Sequence, residues 1–144
     1  MKTVAQVLDA KRIAGVHTIA PDETVLQALT VMADKNVGAL PVTADGRLVG
    51  IVSERDYARK VVLQGRSSIG TPVSAIMTHA VITVAPRQSI KECMELMTEH
   101  HLRHLPVVED DRLIGLLSIG DLVKETIAEQ ETLIRQLEQY IRGE

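Results

Sequence analysis

The feature that most constrains this chain is a repetition. "GIVSERD", from Gly50 to Asp56, returns 65 positions later as "GLLSIGD", from Gly115 to Asp121. Pro21 and Pro86 share that offset, and residues 16–62 align with 81–127 without a gap. About 14 of those 47 pairs are identical, and about a dozen more exchange one apolar residue for another. A shorter echo precedes each copy, "VAQVL" at 4–8 and "VSAIM" at 73–77; the first copy then carries four extra residues, at about Ala10 to Ala14. Internal repetition at this period marks duplicated supersecondary units that are stable only together, since a unit of roughly 60 residues buries too little surface alone.

Both copies predict the same elements. "HTIAP" is a short extended segment ended by a proline that lies just ahead of a helix start. Val25, Ala28, Leu29 and Met32 recur at helical spacing over 24–35, as do Ile90, Cys93, Met94 and Met97 over 89–100. "ALPVT" and "RLVGIVS" are apolar runs split by "ADG", a hairpin signal because Asp-Gly accepts positive φ. The second copy has "EDD" there, a weaker turn. A further helix starts at Ser53 or Ser118, which gives β-α-β-β-α twice. Two such units, packed sheet against sheet with helices outside, are expected to share one core. The first copy's last helix is expected to stop near Gly65.

Composition narrows the function. The 144 residues carry a net charge of −3 with no dense basic block, which disfavours a nucleic-acid partner. Phe and Trp are absent, and Tyr57 and Tyr140 offer no stacking platform for single strands. No apolar run approaches the ~20 residues of a membrane helix, and no signal peptide is expected. A single cysteine, Cys93, forms no intrachain disulfide and suits a reducing cytoplasm. It replaces Ala28 of the first copy on an apolar helix face and is expected to be a buried thiol rather than a nucleophile. No phosphate-binding glycine loop and no Ser-His-Asp arrangement is present, so no catalysis is expected.

Ser-x-x-Asp at a strand-to-helix junction first reads as a capping box. The same junction presents free N–H groups and a positive dipole end, which suit a phosphate. An aspartate beside it has the chemistry to accept both hydroxyls of a ribose. Arg55 adds a fork that takes two phosphate oxygens, where Gly120 in the second copy offers only its N–H; Arg59 and Lys60 are expected to face solvent. His100 and His104 have the i,i+4 spacing of a helical zinc pair. The helix is expected to end before Leu105 and Pro106, so a metal is not expected. Beyond the repeat, Leu122, Ile127, Ile134, Leu137 and Ile141 form an apolar stripe on a long, otherwise polar helix, which wants a partner.

The duplicated unit, with "LPV" followed by G-apolar-apolar-S-x-x-D, resembles the CBS domain, named for cystathionine β-synthase, over about residues 3–127. The resemblance implies an α/β (α+β) fold of tandem β-α-β-β-α repeats, forming one pseudo-twofold module with an extended C-terminal helix. It divides the chain into repeat 1 at 1–66, repeat 2 at 67–128 and a helical extension at 129–144. It implies a regulatory, non-enzymatic module that binds an adenosine nucleotide in clefts between the repeats. AMP or NAD(H) is favoured, in a class that includes ATP, ADP and S-adenosylmethionine, with no catalytic cofactor. The implied partners are a regulated protein and a second copy of the chain in a homodimer. Asp56 and Asp121 match the family's ribose-binding aspartate, and Ser53 and Ser118 its neighbouring hydroxyl. Arg55 and Gly120 match a phosphate-facing position, as do Arg103 and His104 before the second "LP". Thr18 and Thr83 match an adenine- or ribose-contacting position. The alternative is a ligand-free interaction module in which Ser-x-x-Asp only caps helices.

Overall fold

The computed structural model describes residues 2–11 and 16–143. The extra residues of the first copy therefore lie partly outside the described residues. Helix α1 (Val4–Ala10) leads into the first copy, which contains α2 (Val25–Lys35), β1 (Ala39–Ala44), β2 (Arg47–Ser53) and α3 (Glu54–Tyr57). The second contains α4 (Ile90–His100), β3 (His104–Glu109), β4 (Arg112–Ser118) and α5 (Ile119–Arg142). All five helices open on a reciprocal capping box, with Thr3, Thr24, Ser53, Ser89 and Ser118 as N-caps. Each box satisfies two backbone donors that the helix itself leaves unpaired. After α3 the chain continues through a π-helical turn, Ala58–Val62, and leaves it at Gly65, where φ is +67°.

Each copy forms an antiparallel hairpin, with the same register and the same bulge, between Val42 and Thr43 or between Val107 and Val108. The weak "EDD" turn closes in the same way as "ADG": Asp110 and Asp111 take φ of +50° and +62°, Asp45 and Gly46 +52° and +77°. Aspartate tolerates this region because its short polar side chain bonds locally. The "HTIAP" segments shrink to one parallel bridge each, Ile19 to Val42 and Val84 to Val107. They lie beside β1 and β3, on the side away from β2 and β4.

The buried residues gather into two clusters rather than the single core expected, and the clusters exchange segments. Val73, Ile76 and Met77 of the second echo complete the first copy's cluster, around Leu40, Val42 and Val52. Val4 and Val7 of the first echo complete the second, around Leu105, Val107 and Leu117. Each such buried side chain stabilises by roughly 1.5–3 kcal/mol, so neither copy is complete without the other's leading segment. The glycine of the repeated phrase marks the crossing. A Cβ on Gly50 would lie 2.6 Å from Met77 Sδ and 2.9 Å from the Thr78 carbonyl oxygen; one on Gly115 would lie 2.7 Å from Leu8 Cδ2. Leu8 and Met77 occupy the same place in the two echoes.

Candidate functional site

Where β2 gives way to α3, the capping box orients both members of the SERD sequence. The Ser53 hydroxyl accepts from the Asp56 N–H at 3.1 Å, and Asp56 Oδ2 accepts from the Ser53 N–H at 2.9 Å and its hydroxyl at 3.0 Å. Lys60 Nζ lies 3.2 Å from Asp56 Oδ1 and donates to the Ile76 carbonyl at 2.8 Å. Lys60 therefore ties the helix to the exchanged segment and is not simply solvated as expected. A carboxylate offers about four acceptor positions, so Oδ1 keeps room for another donor.

Beside this junction opens a cleft of about 390 Å³, lined by Ser53, Glu54, Arg55 and Asp56 of the first copy and by His101, Leu102, Arg103 and His104 of the second. Gly38, Ala39, Ile51 and Thr78 close its floor and wall. The size lies within the ~300–1,000 Å³ of small-molecule sites. Arg55 and Arg103 are exposed on opposite copies, and among the described residues neither enters an ion pair. Two guanidinium groups without an ion pair among the described residues therefore line one cleft, and each has the fork that takes two oxygens of an anion. Glu54 was not singled out in the sequence, although its place between Ser53 and Arg55 is visible there. Its N–H donates to the Gly38 carbonyl at 3.1 Å, which joins β1's leading edge to the helix start.

The structure thus brings Ser53, Arg55, Asp56, Arg103 and His104 together. It does not bring Thr18 or Thr83 to them. Both precede the parallel bridges at Ile19 and Val84, so β1 or β3 stands between each threonine and the strand from which the cleft opens. Thr83 lines a separate depression with Arg47, His79 and Asp111. Ser118, Gly120 and Asp121 form the corresponding junction at the start of α5. There Asp121 Oδ2 accepts from the Ser118 N–H and from Lys11 Nζ, each at 2.9 Å. Burial alone would raise the Asp121 carboxyl, but the Ser118 N–H and the Lys11 ammonium outweigh it and hold its pKa below the ordinary value. Lys11 was not singled out either, because it lies among the extra residues that break the repeat.

Burial lowers the His104 pKa, which favours the neutral ring; the Asp121 carboxylate opposes this, and Lys11 and Arg103 reinforce it. His100 ends α4 and His101 follows in a left-handed conformation with φ of +55°, so His100 and His104 do not share a helix. Cys93 is fully buried, and burial together with Glu92 pushes its thiol up to about 11. A larger groove of about 560 Å³ runs between α4 and α5, but Glu95, Glu99 and Glu129 line it against a single Lys91. That charge balance repels phosphate, so the smaller cleft is the better anion site. No helix among the described residues is long and apolar enough to cross a membrane.

Comparison with known proteins agrees with the duplicated architecture. Residues 9–63 and 73–128 each match the CBS domain. A CBS domain-containing mitochondrial protein of Arabidopsis thaliana, CBSX3, is 44% identical over 127 residues, covering 85% of this chain and 62% of its own length. This chain therefore spans about three fifths of that relative. A solved protein with CBS domains from Burkholderia ambifaria is 54% identical with a TM-score of 0.86, over 90% of this chain and 96% of its own. A CBS domain protein of Pyrobaculum aerophilum, solved complexed with AMP, is 30% identical with a TM-score of 0.75, over 83% of this chain and 89% of its own. With both repeats matched and the fold shared, this chain belongs to the CBS domain family, as a tandem pair.

Proposed function

We propose that this chain is a regulatory module that binds an adenosine nucleotide in the cleft between its repeats and transmits occupancy to a partner protein. The carrying observation is the convergence of Arg55 and Asp56 of one repeat with Arg103 of the other on a single cleft. Asp56 supplies an acceptor for ribose hydroxyls, and the two arginines supply paired donors for a phosphate. A ligand held from both repeats favours one arrangement of them, which is population shift by differential affinity. The AMP complex of the Pyrobaculum relative supports AMP as the first ligand to test, with NAD(H) second. The fully buried Cys93 suits a reducing cytoplasm. The unpartnered stripe on α5 supports a homodimer.

Titration calorimetry with AMP and NAD tests the reading, on the wild type and on Asp56→Asn. Asparagine caps a helix as well as aspartate, so melting should move little while AMP affinity falls about tenfold, as expected when a charged hydrogen-bond acceptor is lost. Unchanged affinity in that variant would remove Asp56 from the site. If the wild type binds neither compound, the ligand-free interaction module becomes the better reading.

A further inference from the structure

The first cleft, at the SERD junction, holds a negative group that anion binding does not explain. Glu54 lines it beside Arg55 and opposite Arg103. Among the described residues its carboxylate enters no ion pair, so its charge is not spent on a neighbouring cation. The carboxylate turns over the cleft floor. A Cβ on Gly38 would lie 3.4 Å from Glu54 Oε1 and 3.7 Å from His104 Cε1, so the acid of one repeat and the imidazole of the other reach the same point. An acid in the first turn of a helix suits the helix dipole, but the fold does not require one there. Ile119 holds the same place in the second copy. The backbone does the structural work in both: the Glu54 N–H donates to the Gly38 carbonyl at 3.1 Å, and the Ile119 N–H donates to the Arg103 carbonyl at 2.9 Å. The Glu54 side chain is therefore free to act on whatever enters the cleft.

Resting on the nucleotide reading above, we propose that Glu54 is a specificity-determining residue that holds the first cleft to the monophosphate, ranking AMP above ATP. One phosphate is matched by the forks of Arg55 and Arg103. Each further phosphoryl group brings more negative charge, and no lysine and no third arginine lines the cleft to receive it. Burial keeps the His104 ring toward its neutral form, so it does not take the place of a third cation. The longer phosphate chain instead meets the Glu54 carboxylate. Specificity of this kind comes from a repulsive group set against the wrong ligand rather than from a new contact to the right one.

Titration calorimetry with AMP and with ATP, at low salt and without divalent cations, compares the wild type with Glu54→Gln and Glu54→Ile. Glutamine keeps the shape of the side chain without its charge, and isoleucine is the residue that the second copy carries. Circular dichroism melting establishes that each variant is folded. The wild type should bind AMP more tightly than ATP. Both variants should tighten ATP by roughly five- to tenfold and AMP by about twofold, since like charges at an exposed site cost little each and ATP brings more of them. A wild type that binds ATP as tightly as AMP overturns the proposal. So do folded variants that leave the ratio of the two affinities unchanged, and so does a shift seen with isoleucine alone, which would make the effect one of shape. Weaker AMP binding in both variants would mean that Glu54 itself holds the ligand, which also overturns it. Binding of neither compound to the wild type is a different result: it removes the nucleotide reading, and this inference with it.

Discussion

His104 lines the cleft from the second repeat and lies within electrostatic reach of Asp121. A Cβ at Gly38 would lie 3.7 Å from its ring and 3.4 Å from Glu54 Oε1, so the glycine of the first repeat leaves room for the histidine of the second. On its other side Asp121 and Lys11 act on it in opposite senses. Its folded pKa lies below the ordinary 6.5, burial being the largest cause. The unfolded chain therefore takes up this proton more readily. Stability should fall as pH drops through 6.5, and the loss should continue until the folded pKa is passed. Asp121 acts further down: its folded pKa lies below 3.8, so its contribution is present above that value and is lost as pH falls through the folded pKa. Urea unfolding from about pH 7.5 to about pH 5.5 isolates the histidine. The wild type should lose more stability over that range than His104→Gln, whose side chain does not titrate. An equal loss in both would assign the pH dependence to another group.

At the scale of elements, the helices and hairpins were legible because their signals are local. Capping boxes, Asp-Gly and helical apolar spacing each sit within a few residues. The echo "VAQVL"/"VSAIM" was legible too, but not where each copy of it packs, since an apolar pattern says that a face is buried and not against what. The exchange of these segments is why two clusters form instead of one, and why Gly50 and Gly115 cannot carry a side chain without disturbance. The two glycines should not be equally sensitive. At Gly50 an added methyl meets the Thr78 backbone oxygen as well as Met77, whereas at Gly115 the close atoms all belong to the Leu8 side chain, which can turn away. Gly50→Ala should cost about 2–3 kcal/mol and Gly115→Ala about 1 kcal/mol, within the range for overpacking. Urea unfolding of the two variants gives the order directly. Equal costs, or the reverse order, would show that the Thr78 crossing yields more easily than a leucine.

For the molecule as a whole, the sequence showed two copies of a site but not which residues of the two copies face one another. Arg55 and Arg103 lie 48 positions apart, and no spacing rule joins them; only the pairing of the repeats puts both on the first cleft. The stripe on α5 was legible as a face that wants a partner, with a second copy of the chain as the implied one. Leu122 is fully buried and anchors its first turn, but Val123, Ile127, Ile134, Leu137 and Ile141 are 43–81% exposed. Ile127, Ile134 and Ile141 recur every seven residues, and so do Val123, Gln130 and Leu137, three or four positions off the first set. Isoleucine on one seam position with leucine or valine on the other favours two parallel strands, with Gln130 as a polar residue that helps fix register. The homodimer proposed above would lay a second copy of α5 against this face. Multi-angle light scattering should give about twice the chain mass of 15.8 kDa for the wild type. Ile134→Glu with Leu137→Glu should give the single-chain mass, because two glutamates facing their copies across the seam are strongly unfavourable. AMP affinity at the first cleft should survive that change, since Arg55, Asp56 and Arg103 all belong to one chain. A wild type of single-chain mass would leave the stripe without its proposed occupant. Loss of AMP binding on dissociation would instead mean that the cleft is held in shape by the second copy, so that ligand and assembly are coupled.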